Sequence, residues 1–146
     1  MTAVLHLARR FVTSLLRREP AAAETAWGTS QLLPAEAELW QRMAVQDRRH
    51  SLLVAHRFAE RQPDHSRAEL AGALLHDVGK VDCGLGTFGR VAATVIGPRT
   101  AAFRRYHDHE RIGAEMLASA GSAVATVELV LGRGRAAATL RAADDI

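Results

Sequence analysis

Residues 66–80 read Ser-Arg-Ala-Glu-Leu-Ala-Gly-Ala-Leu-Leu-His-Asp-Val-Gly-Lys, from Ser66 to Lys80. Ser66 and Glu69 form a capping box, in which the hydroxyl and the carboxylate each accept a backbone N–H at a helix start. Leu70, Leu74 and Leu75 follow at helical spacing, which predicts a helix from Ser66 to near Val78, where Gly79 offers a C′ residue. Gly72, one turn before His76, leaves room for a neighbouring backbone. The helix thus delivers an adjacent His76-Asp77 pair at the end of an apolar segment, where the chain leaves the core. A buried carboxylate beside an imidazole is costly unless something neutralises it. A divalent metal does so well, because both side chains are hard-to-borderline ligands.

Helical signals continue in both directions. Asp47 reads as an N-cap for a helix reaching about Arg61, on which His50, Leu53, Val54, Arg57 and Phe58 share a face. Pro34 suits the first turn of a helix to about Gln46, with Leu39, Trp40 and Met43 on one side. Glu19 to Leu33 reads as a loop. Before it, Val4, Leu5, Leu7, Ala8, Phe11, Val12, Leu15 and Leu16 recur at helical spacing among Arg9, Arg10, Arg17 and Arg18. This basic amphipathic helix is expected to pack on its own domain, with a membrane surface the less favoured partner.

Beyond Lys80, Gly84, Gly86 and Gly89 mark a connection, and helices are expected at 87–96, at 100–120 with a break admitted near His107, and at 122–131. Gly132-Arg133-Gly134 interrupts the chain before a last helix carrying Leu140 and Asp144 on one face. No strand pair, repeat or low-complexity segment stands out. The expectation is an all-α bundle of about seven helices, with residues 1–18 an amphipathic helix and 34–146 the helical domain.

The totals agree. A chain of 146 residues with 48% hydrophobic and 24% charged side chains suits one globular core, and 5% aromatics suggests close helices with small side chains. The net charge of +3 fits a phosphate-bearing ligand better than a nucleic-acid polymer, which calls for a denser basic stripe. Cys83 is the single cysteine, and no apolar run approaches the ~20 residues of a membrane span. Both fit a cytoplasmic protein. Of nineteen basic side chains, Lys80 alone is a lysine.

His50, His76-Asp77 and Asp144, with the stretches DRRHS, LLHDVGK, HERIGAEML and LRAADD, resemble the HD-domain metal-dependent phosphohydrolases. The resemblance spans about Asp47 to Asp144. It implies a helical bundle holding a divalent ion (manganese, iron, cobalt, nickel or zinc) on His50, His76, Asp77 and Asp144, with His109 a further candidate. It also implies metal-activated water attacking a phosphate ester of a small molecule or nucleotide. Asp77 and Lys80 would then serve the reaction, with Lys80 facing the substrate phosphate and Arg49 a weaker candidate beside it.

Taken singly, each residue has a plainer reading. His50 could be a core histidine, Asp77 a helix-end polar group and Asp144 surface charge; it is their combination with HDVGK that points to a metal. His107 and His109 would lie about 200° apart on one helix, so both cannot face one site. His6, His56 and His65 read as non-catalytic, and Cys83 lacks the partner a thiol nucleophile needs.

Two departures from the family pattern matter. No histidine occurs from Glu110 to Ile146, so one metal is expected rather than two. Val78-Gly79 stand where guanosine-tetraphosphate hydrolases carry a Glu-Asp pair, so that activity is not expected. The missing histidines also admit a second reading: a non-catalytic HD-like sensor or interaction module. A homodimer is compatible with the composition, but nothing specifies it.

Overall fold

The computed structural model describes residues 2–15, 18–83 and 108–145. The glycine connection after Cys83, the helix expected at 87–96, the first part of the one expected from Thr100, and Arg104, Arg105 and His107 lie outside the described residues. Among those described, the chain is all-α. Its helices are α1 (Thr2–Leu15), α2 (Ala22–Ser30), α3 (Pro34–Arg42), α4 (Val45–Arg61), α5 (Arg67–Leu75), α6 (His109–Ser119), α7 (Val124–Val130) and α8 (Ala137–Asp144). A 3-10 turn, Val78–Cys83, follows α5. No described helix is long and apolar enough to cross a membrane.

The middle of the bundle is α5. Every residue from Glu69 to Lys80 is buried. A helix apolar around its whole circumference must be enclosed by others, and α4 and α7 pack along it. Its start is the expected capping box: Glu69 N–H donates to Ser66 Oγ at 3.1 Å, and Ser66 N–H donates to Glu69 Oε1 at 2.9 Å. Thr126 Oγ donates to the Ala68 carbonyl at 2.8 Å, tying α7 to the same end. Trp40, Val54, Phe58, Leu74, Leu75, Val78 and Leu117 are fully buried. Trp40 Nε1–H, the one polar atom of that ring, donates to Ser51 Oγ at 2.9 Å.

Four local expectations change, the first being that the helix expected from Pro34 to about Gln46 stops at Arg42, where extended Met43 and Ala44 break it before α4. The segment 19–33 is not all loop, since α2 occupies much of it. Its nine residues include Thr25, Gly28, Thr29 and Ser30, weak helix formers that mask the signal. What holds α2 is tertiary: Trp27 stacks on His56 with centroids 3.9 Å apart, and His56 Nε2–H donates to Glu24 Oε2 at 2.7 Å. Asp47 is not the N-cap of α4. Ala44 holds that place, and Asp47 sits buried in the first turn. Finally, α5 ends at Leu75, three residues earlier than expected, and the chain tightens into the 3-10 turn.

That tightening explains Gly79, which has no positive φ and so is not a left-handed cap. A Cβ on Gly79 would collide with the His109 carbonyl of α6, and one on Gly113 would meet Gly79 N at 3.1 Å. Two glycines therefore let α6 lie directly on the turn. By contrast, Gly132 (φ +77°) and Gly134 (φ +93°) do adopt the left-handed region, turning the chain from α7 into α8 as the Gly-Arg-Gly signal suggested.

Between those two elements, Arg135 reaches back to the α5 cap. It donates to both oxygens of Glu69, at 2.8 and 3.2 Å, and to Asp64 Oδ2 at 2.8 Å. These bonds hold the Glu69 carboxyl below its ordinary range. A carboxylate with a lowered folded pKa stabilises the fold above its unfolded value, near 4.5, and loses that contribution as pH falls through the folded pKa. Arg135→Ala should therefore lower Tm by about 2–4 °C at neutral pH, since the arginine is half exposed and solvent screens the pair. The difference from wild type should shrink below pH 4.5 in thermal melts. Gly79→Ala should cost about 1–3 kcal/mol by denaturant titration, because α6 must shift to admit the methyl group.

Candidate metal centre

Three elements that are distant in sequence meet at the end of α5. His50 comes from the first half of α4, His76 from the turn after Leu75, and Asp144 from the last position of α8. One ligand atom from each lies within 4.8 Å of the others, close enough to share one ion. His50 Nε2–H donates to Asp144 Oδ1 at 2.7 Å. His76 Nε2 lies 3.4 Å from the same oxygen and 3.5 Å from Asp77 Oδ2. The imidazoles of His50 and His76 meet edge to face, with centroids 5.8 Å apart.

The orientation of His76 matters most. Its Nδ1–H donates to the Ala73 carbonyl at 2.7 Å, a bond internal to the helix end. That bond commits Nδ1 and aims Nε2 between the two carboxylates, where it is buried and makes no hydrogen bond of good geometry. Metal-ligating histidines are held in this way, one nitrogen anchored by a carbonyl and the other turned to the ion.

Asp77 stands beside this group rather than within its closest three. Its Oδ2 accepts from Lys80 Nζ at 2.8 Å, and its Oδ1 lies 3.3 Å from His109 Nε2. Asp77 and Lys80 are each more than nine-tenths buried. His109, the first residue of α6, reaches Asp77 because Gly79 and Gly113 bring that helix so close.

The electrostatics follow from burial and neighbours. Burial alone would favour neutral His76, but the Asp77 and Asp144 carboxylates outweigh it and push its pKa up to about 9. Burial likewise opposes ionised Asp77, yet His76, Lys80 and His109 hold its carboxyl well below the usual range. Asp144 is held low by His50 and His76 against the same opposing effect of burial. Two ionised carboxylates thus converge on a buried imidazole nitrogen, and positive charge between them is strongly favoured. A proton can supply it; so can a divalent cation bound through the same nitrogen. The donor set fits a metal ion.

A cavity of about 240 Å³ opens on this group, lined by His76, Asp77, Lys80, His109, Arg141 and Asp144 among others. Arg141 was not singled out in the sequence. Its signal was available, however, since it precedes Asp144 by three positions and so shares its face of α8. Arg49, expected beside the substrate, is exposed on α4 and does not line this cavity. His6 is exposed, His56 belongs to the α2–α4 contact, and His65 Nδ1–H donates to the Gln62 carbonyl at 2.7 Å.

No family model, curated protein or solved structure matches the chain. The site's geometry also separates two adjacent acids. Asp144 faces His50 and His76, whereas Asp145 is exposed just past the helix end. After incubation with manganese or zinc, Asp144→Ala should lose bound metal by elemental mass spectrometry, and Asp145→Ala should retain it. Equal content in both variants would remove Asp144 from the ligand set.

Proposed function

We propose that the chain is a metal-dependent phosphohydrolase of the HD-domain kind, acting on a phosphate ester of a small molecule or nucleotide. The observation that carries this reading is the orphaned, buried Nε2 of His76, held by Ala73 and faced by Asp144 and Asp77. His50, His76 and Asp144 would hold one divalent cation, drawn from manganese, iron, cobalt, nickel and zinc, with Asp77 at its edge. Such an ion supplies a Lewis acid for water and for phosphoryl oxygens.

The chain's own groups serve the rest of the reaction. Lys80 and Arg141 bring positive charge to the cavity wall, suited to non-bridging phosphate oxygens. Asp77, fixed by Lys80 and His109, has one carboxylate oxygen toward each. Held as the anion by these neighbours, it can accept a hydrogen bond from a water in the cavity and orient it. Apolar Leu129, Val130 and Leu140 line the same space, suited to the non-phosphate part of a substrate.

A second reading, a non-catalytic sensor or interaction module on the same bundle, is favoured by the lack of histidine from Glu110 to Ile146. Metal content and turnover distinguish the two. Wild type should hold about one equivalent of metal, Asp77→Ala much less, and the loaded protein should hydrolyse at least one compound in a panel of phosphomonoesters, nucleotides and cyclic nucleotides. Lys80→Ala should keep its metal and lose about a hundredfold in kcat/KM, the scale of one electrostatic donor lost. Metal without turnover across the panel, or no metal in wild type, would overturn the phosphohydrolase and select the non-catalytic module.

A further inference from the structure

The first two turns of α1 present apolar side chains to solvent. At 100° per residue Val4, Leu5 and Ala8 fall within a 100° arc of α1, and all three are exposed; Val4 and Leu5 each keep 71% of their surface. The sequence continues the same apolar spacing through Phe11, Val12 and Leu15. The packing expected of this helix on its own domain is therefore slight in its first two turns. Among the described residues α1 touches α4, and Val4, Leu5 and Ala8 stay in solvent. Large exposed apolar side chains on a structured helix mark an interaction surface.

Charge says what covers it. The first eighteen residues contain Arg9, Arg10, Arg17 and Arg18 and no acid; Glu19 is the first. A second copy of this helix would bring two wholly basic segments together and is disfavoured by repulsion. A nucleic acid would match the sign of this charge but leave the valine and leucine in water. An anionic lipid surface matches both, taking apolar side chains below the headgroups and complementing the basic charge of the segment at the phosphate level. With fourteen residues the helix is about 21 Å long, short of the ~30 Å hydrocarbon core, so it would lie in the plane of the surface.

We infer that α1 is a membrane-surface anchor that docks the domain on anionic phospholipid. The full chain would be sedimented with vesicles of phosphatidylcholine alone and of phosphatidylcholine mixed with phosphatidylglycerol, at low and at physiological salt. Binding should require phosphatidylglycerol, weaken as salt rises, and fall about tenfold or more in Leu5→Glu. Leu5 is exposed, so that variant should keep the helical circular dichroism and metal content of wild type, and a variant that fails this check is replaced by Val4→Glu. No binding to either vesicle, or equal binding to both, would overturn the anchor. So would self-association that Leu5→Glu abolishes in a protein that ignores vesicles, an outcome assigning the face to a second copy. Because the readout is lipid binding, a failure of the phosphohydrolase reading leaves it unaffected.

Discussion

Burying His76 and Asp77 at the end of α5 imposes a demand on the rest of the chain. The helix is enclosed by its neighbours and the polar pair just past its end is itself buried, meeting solvent only through the small cavity. Compensation must arrive from other elements, and it does. Asp144 comes from α8, His50 from α4, Lys80 from the following turn and His109 from α6. Removing any one of these would leave charge buried with fewer partners, which costs more than the pair itself contributes to stability. The bundle and the polar centre are thus one construction.

The centre is held open by geometry as much as by charge. Contact between Gly79 and the start of α6 sets how near His109 comes to Asp77, and the Ala73 carbonyl fixes the plane of His76. Both constraints are backbone features, which do not relax as a flexible side chain would. Chemistry that depends on sub-ångström positioning is well placed on such supports. Arg135 plays the corresponding part at the other end of α5, fastening the approach to α8 onto the capping box that starts the helix.

The two faces proposed to act on other molecules differ in kind. The cavity is small and polar where Lys80, His109 and Arg141 converge. The exposed side of the first two turns of α1, at Val4 and Leu5, is apolar and followed by basic sequence. Since α1 rests on α4, and α4 carries His50, one helix connects the two.

Local patterns carried much of this. The capping box at Ser66, the periodic leucines after it and the glycine pair at 132 and 134 act over a few residues, so they are readable without knowing the fold. Helical periodicity likewise placed His50 on the inner face of α4 and set Asp144 apart from Asp145. Other features arise only when distant segments meet. The helix at Ala22–Ser30 depends on Trp27 and Glu24 finding His56, and its own residues argue weakly for it. Asp77 is engaged by Lys80 and His109, and Gly79 is needed for a neighbour rather than a cap, because α6 packs where it does. Exposure of Val4 and Leu5 belongs to the same class. Periodicity defines an apolar face, but which surface covers it is a property of long-range packing.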